Sequence, residues 1–255
     1  MRIAIVSDVH ANLAALDAVL GHAEGQGATD GLWCLGDSVG YGPQPRECIA
    51  RLRELGALAV AGNHDRAATG LMSTDDFNPL AAEAALWTRG QLAAEDAAYL
   101  DSLPEVAYAP AGAVDSGAEF TLVHGSLRWP LWEYIHSNEA AAAHLRLQST
   151  PFSLFGHTHV PALMVEGGAH PEGCDLRLLS DGEVVALDRG TKAAFNPGGA
   201  GQPRDGDPRT AYAVYDDEAA TITAYRLEYE IAATQRLMEA AGLPRPLIAR
   251  LSLGR

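Results

Sequence analysis

Five short motifs contain the residues of this 255-residue chain whose types and spacing could support chemistry. In chain order they are Asp8-Val9-His10, Gly36-Asp37, Gly62-Asn63-His64-Asp65, His124-Gly125 and Gly156-His157-Thr158-His159. The candidate ligands among them are two carboxylates, one amide oxygen and four imidazoles, and one further imidazole is left over. Oxygen and nitrogen ligands without thiolates suit Mn, Fe, Zn or Mg rather than Cu(I) or an iron–sulfur cluster.

Two divalent ions held roughly 3.5–4 Å apart can generate hydroxide and neutralise the charge that develops on a phosphoester during hydrolysis. Asp37 is the candidate carboxylate that bridges the ions, while Asp8 and His10 can reach one ion together. Asn63 offers a neutral oxygen. His64 is the spare imidazole and is placed to protonate the leaving alkoxide as a general acid. The remaining predicted metal ligands are His124, His157 and His159.

Each motif alone has an ordinary structural explanation. An Asp that follows a strand is more often a helix cap, and Gly-Asp is usually a turn. The joint occurrence of all five motifs is what predicts a dinuclear metal centre that hydrolyses phosphoesters. The histidines outside the motifs are interpreted as ordinary surface or core residues; they are His22, His136, His144 and His170.

Four of the five motifs directly follow a run that predicts a β-strand. Ligands at the ends of strands converge at one edge of a sheet, however far apart they lie in sequence. The continuous apolar run 3–6 is typical of a buried parallel strand. The other strands predicted before motifs are 31–35, 57–61, 120–123 and 152–155. Helices are predicted from Asn12 and Pro45 and over 139–147, and the segment 80–100 is predicted to form two helices broken near Gly90. After Val160 the pattern predicts strands at 162–166, 184–187, 211–215 and 221–228, and a closing helix at 231–241.

The pattern of elements predicts an α/β protein in which two sheets pack face to face with outer helices. No Pro/Ser-rich linker or composition break interrupts the chain, so a single domain over 1–255 is expected. The tail 247–253 is apolar at helical spacing and is expected to dock on the body of the protein or on a second subunit.

Composition narrows the function further. The formal charge is −15 and no basic cluster is present, which makes nucleic acid an unlikely partner because its binding relies on Lys and Arg. Cys34, Cys48 and Cys174 have no metal-binding spacing and no disulfide pattern. No apolar stretch is long enough for a bilayer, and the N-terminus enters a strand without a signal peptide. These features predict a cytoplasmic protein without a membrane partner.

The motifs in their wider context resemble the calcineurin-like metallophosphoesterases, and specifically their small single-domain bacterial phosphodiesterases and phosphatases. The stretches that carry the resemblance are 7–13, 36–43, 62–65, 123–126, 156–161 and 196–199. The resemblance implies a four-layer α-β-β-α sandwich of two mixed sheets flanked by helices. It also implies in-line attack by a metal-bridging hydroxide, with Mn as the expected metal and Fe, Zn, Ni or Mg as alternatives.

Carried over by position, the resemblance assigns two sets of ligands that share one carboxylate, and it makes His64 the acid. One set is Asp8, His10, Asp37 and His159, and the other is Asp37, Asn63, His124 and His157.

Two departures from related sequences bear on the substrate. Protein serine/threonine phosphatases and symmetrical dinucleoside-polyphosphatases carry Gly-Asp-x-Val-Asp-Arg-Gly, where this chain has Gly40 in place of the Asp and Tyr41 in place of the Arg. The loss of the residue that orients the acid and of the residue that grips phosphate argues against both activities. In addition, Gly199 stands where the bacterial branch usually has a serine hydroxyl.

Candidates for substrate contact lie in two loops. Ser126 and Arg128 follow the ligand His124 and could reach a phosphate, and Arg204 is a candidate phosphate clamp whose alternative is solvated loop charge. Trp129, Trp132 or Tyr134 could stack on a base, with packing in the core as the alternative.

The leading hypothesis is a metal-dependent hydrolase of small phosphodiesters. The enzymatic alternative is a phosphomonoesterase that acts on a small metabolite. The alternative from another class is a non-catalytic protein-docking scaffold on the same fold. The sequence leaves the natural substrate, the resident metal and assembly into a homo-oligomer open.

Overall fold

The first half of the chain builds a parallel sheet edge from three strands, β1 (Arg2–Val6), β2 (Gly31–Cys34) and β3 (Leu58–Ala59). In this computed structural model, which describes residues 1–110, 118–168 and 170–255, both strand pairs are parallel. The helices α1 (Leu13–Gly25) and α2 (Pro45–Glu54) form the crossovers. Asn12 caps α1 by accepting a hydrogen bond from the Ala15 amide, and Pro45 starts α2, where its missing N–H costs nothing.

The later elements complete the two sheets and the outer helices. The helices are α3 (Asn63–Thr69), α4 (Pro79–Gln91), α5 (Ala94–Ser102), α6 (Asn138–Leu147), α7 (Ile231–Ala240) and α8 (Arg245–Leu251). The strands are β4 (Val106–Pro110), β5 (Ala118–Val123), β6 (Phe152–Leu154), β7 (Ala162–Glu166), β8 (Cys174–Leu178), β9 (Val184–Ala186), β10 (Ala193–Asn196), β11 (Thr210–Asp216) and β12 (Thr221–Leu227).

Both sheets are mixed and have six strands each. The first has the order β3-β2-β1-β11-β12-β9, and the second has the order β4-β5-β6-β10-β7-β8. In the second sheet β5, β6 and β10 run parallel to one another, as β1, β2 and β3 do in the first. The parallel strands therefore form one side of the first sheet and the inner part of the second, and the carboxyl ends of β1, β2, β3, β5 and β6 precede predicted ligands.

Three apolar layers hold the sheets and helices together. The layer between the sheets joins residues such as Ile5 and Trp33 of the first sheet to Phe120 and Phe195 of the second. A second layer packs α1 and α2 against the outer face of the first sheet, and a third packs α6 against the second sheet. This arrangement confirms the predicted α-β-β-α sandwich.

Some element predictions differed from the structure. β3 has two residues rather than the predicted five, because the amide of Ala61 leaves the sheet and bonds to Pro104 O at 2.8 Å. The strands β4, β8 and β10 and the helix α3 were not predicted. The apolar tail docks on the body: Leu247, Ile248 and Leu251 pack in a cluster with Tyr41. Within the described ranges, no helix combines the length and apolarity needed to cross a membrane.

Candidate metal centre

The seven predicted ligands come from loops at the ends of β1, β2, β3, β5 and β6, and the fold brings them into two groups. Asp8, His10 and His159 form the first group, and their ligand atoms all lie within 4.8 Å of one another. Asp37, His124 and His157 form the second group by the same measure. All six side chains are buried.

The first group places a carboxylate oxygen against two imidazole nitrogens. Asp8 Oδ1 lies 3.2 Å from His159 Nε2 and 3.8 Å from His10 Nε2. The other oxygen of Asp8 accepts hydrogen bonds from Ser7 Oγ at 2.6 Å and from the His157 amide at 3.0 Å. Oδ1 itself is buried without a hydrogen-bond partner among the described residues, so it is free to serve as a ligand.

The second group is built around Asp37 and includes the predicted amide ligand. Asp37 Oδ2 lies 3.3 Å from His124 Nε2. The same nitrogen lies 3.2 Å from Asn63 Oδ1 and 3.0 Å from His157 Nδ1. Asn63, which the sequence placed in this set, therefore lies beside the other three.

Asp37 faces both groups with a single oxygen. Its Oδ2 lies 3.7 Å from His10 Nε2 in the first group and 3.3 Å from His124 Nε2 in the second. Its Oδ1 accepts a hydrogen bond from the His64 amide at 2.8 Å, which fixes the orientation of the carboxylate. This is the position that a bridging carboxylate requires.

The hydrogen bonds of three imidazoles fix which nitrogen faces the cluster. Nδ1 of His10 donates to Val39 O, Nδ1 of His124 donates to Leu35 O, and Nδ1 of His159 donates to Gln202 O. Because a carbonyl oxygen can only accept, each Nδ1 carries a proton and Nε2 is left facing the ligand groups.

The first group thereby fits a cation. The two Nε2 atoms of His10 and His159 face each other at 3.2 Å, and burial lowers the pKa of both rings, so both are neutral. The lone pairs of these two nitrogens lie next to Asp8 Oδ1, which has no hydrogen-bond partner among the described residues. Three electron-pair donors therefore stand together, and no described protein group accepts from Asp8 Oδ1. A divalent ion supplies that acceptor, and the O/N chemistry suits such an ion.

In the second group a proton competes with a metal ion. Burial would lower the pKa of His124, but the Asp37 carboxylate outweighs it and raises this pKa to about 9. Burial would likewise raise the pKa of Asp37, yet the charges of His124 and His64 hold it well below its usual range. Metal binding here must release the His124 proton, so metal affinity is expected to fall as the pH falls.

The backbone at the cluster is held in an uncommon conformation. Five predicted ligands have positive φ: 53° at Asp8, 47° at His10, 51° at Asp37, 65° at His157 and 60° at His159. A non-glycine residue in this region costs on the order of 1 kcal/mol, and such residues concentrate at functional sites. The ligand loops are therefore held in place by surrounding hydrogen bonds rather than by their own preference.

Three polar residues that no prediction singled out supply those hydrogen bonds. Asp65 accepts from the Val39 amide at 3.1 Å and the Gly62 amide at 2.9 Å, which ties the loops after β2 and β3 together. Asn196 donates to Gly156 O at 2.7 Å and so fixes the loop of His157. Ser7, described above, orients Asp8. All three lie inside or beside the quoted motifs, but only their contacts reveal the role.

His64, the predicted acid, lies at the entrance to the cluster. Its ring centre is 5.0 Å from that of His10 and 4.4 Å from that of Tyr41. Burial lowers its pKa to about 4, and its Nδ1 is buried without a partner among the described residues. Gly40 explains the missing partner: a Cβ there would lie 2.5 Å from His64 Nδ1, and its φ is +90°.

Aromatic side chains border the cluster. Tyr134 stacks on His157 with ring centres 3.8 Å apart, and Trp132 lies 6.5 Å from the same ring. Phe77 lies 4.9 Å from His64 and 5.1 Å from Trp132. We call the rings of Tyr41, Phe77, Trp132 and Tyr134 the aromatic rim. Trp132 is half-buried and faces the cluster, whereas Trp129 is 60% exposed and lies under Arg128.

The three predicted substrate contacts differ in where the structure places them. Ser126 Oγ donates to Glu133 and accepts from the amides of Arg128 and Trp129, each at 3.1 Å. The Arg128 guanidinium forms an ion pair with the same Glu133. Ser126 and Arg128 therefore serve the loop itself, and this geometry does not support the substrate contacts predicted for them. Arg204, in contrast, has no ion pair with an acidic side chain in the described parts and lies 5.8 Å from the Tyr41 ring centre.

Gly199 lies against the cluster. A Cβ at this position would come within 2.8 Å of the His159 Cβ, so the loop that lacks the usual serine does approach a predicted ligand. The histidines outside the motifs have local roles. His22 bonds to Tyr212 OH at 2.6 Å, His144 bonds to Ser153 Oγ at 2.7 Å, and His170 is exposed. His136 stacks on the rim residue Tyr134, which its sequence context did not indicate.

Comparisons with known proteins agree with the fold. The family model described as the calcineurin-like phosphoesterase superfamily domain matches residues 1–219. The chain therefore belongs to the calcineurin-like phosphoesterase superfamily, as its motifs predicted.

Two similar proteins cover nearly the whole chain, and a third covers about a quarter of it. A metallophosphoesterase from Sphaerobacter thermophilus has a crystal structure that is 45% identical, with a TM-score of 0.84 over 100% of this chain and 99% of that chain. The uncharacterized protein MJ0912 of Methanocaldococcus jannaschii is 35% identical over 254 residues, which are 99% of this chain and 98% of that protein. A symmetrical bis(5'-nucleosyl)-tetraphosphatase of Thioalkalivibrio sulfidiphilus is 39% identical over only 67 residues, or 26% of this chain and 25% of that protein.

Proposed function

We propose that the chain is a single-domain, dinuclear-metal-dependent hydrolase of small phosphodiesters. The observation that supports it most strongly is the position of Asp37 Oδ2 between two groups of buried ligands. Asp8, His10, Asp37 and His159 would hold one ion, and Asp37, Asn63, His124 and His157 the other. We expect Mn, with Fe, Zn, Ni and Mg as alternatives.

Two divalent ions in such a site supply an activated water as nucleophile and neutralise charge on the phosphoryl group. The residues of the chain orient the metal ligands and the substrate and donate a proton to the leaving oxygen. The carbonyl groups of Leu35, Val39 and Gln202 keep the imidazole tautomers fixed. The aromatic rim limits access of water to the cluster and orients a substrate that enters over it.

His64 is proposed to donate a proton to the leaving oxygen. In the free protein, burial keeps its ring neutral, as its pKa of about 4 requires. A bound anionic substrate beside the ring would raise that pKa and favour the protonated form. Since Gly40 leaves Nδ1 without a carboxylate partner, this proton donor depends on the substrate charge more than an Asp-supported histidine would.

Preference for a diester follows from position 41. A monoester dianion needs cationic groups beyond the metals, and Tyr41 stands where related phosphatases have an Arg, with its ring packed 4.7 Å from that of His10. A diester carries one negative charge, which two metal ions suffice to neutralise. The phosphomonoesterase alternative retains one supporting observation: Arg204 lies near Tyr41 and has no acidic side-chain partner in the described ranges.

The test compares bis(4-nitrophenyl) phosphate with 4-nitrophenyl phosphate on metal-loaded protein. We expect kcat/KM to be higher for the diester, and Tyr41→Arg to move the ratio toward the monoester. His22→Ala, whose ring lies on α1 away from the cluster, is the control and should leave the ratio unchanged. A tenfold preference for the monoester would overturn the diesterase proposal. Absence of hydrolysis with all five metals, despite bound metal, would favour the docking scaffold.

A further inference from the structure

Two arginines from distant parts of the chain converge on one ring of the aromatic rim. The guanidinium carbons of Arg204 and Arg250 lie 5.8 and 5.9 Å from the centre of the Tyr41 ring. Arg204 belongs to the loop between β10 and β11, and Arg250 belongs to α8. The same ring lies 4.7 Å from the ring of His10 and 4.4 Å from that of His64. The pair therefore stands one aromatic ring away from the proposed metal centre.

Neither arginine is neutralised by an acidic side chain in the parts of the chain that the structure describes. Arg204 donates to the neutral amide oxygen of Gln202 at 3.1 and 3.3 Å. Arg250 donates its Nε to a main-chain oxygen of Arg255, the last residue of the sequence, and in the described ranges its two terminal nitrogens have no hydrogen-bond partner. Both side chains are partly exposed, so both can reach a ligand.

The chain has 33 acidic and 18 basic residues, and 17 of the basic residues are arginines. Many of its arginines do pair with Asp or Glu side chains; they are Arg2, Arg46, Arg51, Arg128, Arg177, Arg189, Arg209 and Arg226. Partial burial and the neighbouring Arg204 charge lower the pKa of Arg250. Two guanidinium groups beside one ring, neither paired with an acidic side chain in the described ranges, can together bind an anion.

We propose that Arg204 and Arg250 form an anion subsite for a second phosphate group of the substrate, next to the phosphoester at the metal centre. The proposal rests on the proposed function, because it names the class of phosphodiester that the same site accepts: one with an additional phosphate, as in a nucleoside 5'-phosphodiester that also carries a 3'-phosphate. Neither guanidinium contacts Asp8 or Asp37, which separates the subsite from the ligand cluster. Arg250 would supply, from the C-terminal helix, a specificity residue outside the matched range 1–219.

The first arm of the test measures binding and needs no hydrolysis. Metal-loaded wild type and variants are titrated calorimetrically with thymidine 3',5'-bisphosphate and with thymidine 5'-monophosphate. We expect the wild type to bind the bisphosphate at least about tenfold more tightly, since a charge-assisted Arg–phosphate hydrogen bond is worth a factor of about 10 to 100. Arg250→Met and Arg204→Met should each lose most of that preference. Arg245→Met on the same helix is the matched control and should keep it.

Three outcomes would overturn the subsite. The wild type could bind both probes equally, the two variants could keep the preference, or they could weaken both probes to the same extent. The last result would assign the arginines to the phosphate at the metal centre. Arg250→Lys keeps the charge without the fork geometry, and it gives an intermediate preference if Arg250→Met proves unstable.

The second arm separates this inference from the proposed function. It compares kcat/KM for thymidine 5'-(4-nitrophenyl phosphate) and for the same ester with a 3'-phosphate. We expect a wild-type preference for the phosphorylated ester that Arg250→Met reduces about tenfold or more through KM. If neither ester is hydrolysed, the proposed function fails, while the binding preference still decides the subsite.

Discussion

The buried ligand cluster and the rim that borders it are built in opposite ways. In the cluster, Asp37 and His124 are fully buried and are fixed through hydrogen bonds to backbone groups. At the rim, Tyr134 is 42% exposed. Beside it, Arg204 and Arg250 lie next to the Tyr41 ring, with Arg204 bonded to the Gln202 side chain and Arg250 to a main-chain oxygen of Arg255. The cluster is thus positioned before any ligand arrives, whereas the rim can adjust to one.

The difference separates two tasks of a hydrolase. Ligand geometry has to be correct to a fraction of an ångström, and backbone hydrogen bonds to rigid strand ends provide that precision. Substrate selection depends on side chains at the entrance, which can change without disturbing the strands. Positive φ at five ligand positions fits this division, because strain is tolerated where the surroundings determine the conformation.

The largest expected effect comes from substitution of Asp37, the residue that joins the two ligand groups. Asp37→Asn keeps an acceptor for the His64 amide but loses the second negative oxygen, and Asp37→Ala loses both. We expect either variant to bind neither metal ion firmly and activity to fall to the background of the assay. Metal analysis after gel filtration, with melting temperatures in the presence and absence of metal, checks this expectation. Two full equivalents of metal in Asp37→Ala would show that Asp37 does not bridge.

The next largest effect is expected at His64, whose ring lies between His10 of the cluster and Tyr41 of the rim. His64→Ala should retain both metal ions and slow hydrolysis by roughly 10²- to 10⁴-fold, the usual contribution of a positioned proton donor. Because nitrophenolate needs little protonation, the loss should be smaller for a nitrophenyl ester than for an alkyl ester. Rates for the two leaving groups, together with metal content, distinguish the cases. Equal losses on both esters would assign His64 a role other than proton donation.

The cluster was predictable from sequence because its ligands follow strands, and parallel strands converge whatever their separation along the chain. Asp8 and His124 needed only that rule and the motif chemistry. The hydrogen-bonding roles of Ser7, Asp65 and Asn196 were not predictable, because polar residues in loops satisfy many different backbone groups and only the folded geometry selects one.

The rim was harder to predict because its members meet through packing between distant elements. Arg250 lies in the short helix α8, which Leu247 and Leu251 made predictable as an apolar helical segment. The position of Arg250 beside Tyr41 depends on how that helix docks on the body of the protein. The strands β8 and β10 were missed for a similar reason. Their pairing with β7 and β6 stabilises segments whose own strand preference is weak or context-dependent.

The smallest expected effect concerns Arg128, which like Arg204 was predicted to contact substrate but is paired with Glu133. The Arg128 side chain is 39% exposed, and an ion pair of this kind contributes about 0–1 kcal/mol to stability. We therefore expect Arg128→Met to lower the melting temperature by only about 1–3 °C and to change kcat/KM less than about threefold. Arg204→Met is the matched comparison, with an unpaired guanidinium at the rim. A tenfold loss of kcat/KM in Arg128→Met at unchanged stability would mean that its guanidinium leaves Glu133 to bind substrate, and the rim would then extend to both loops.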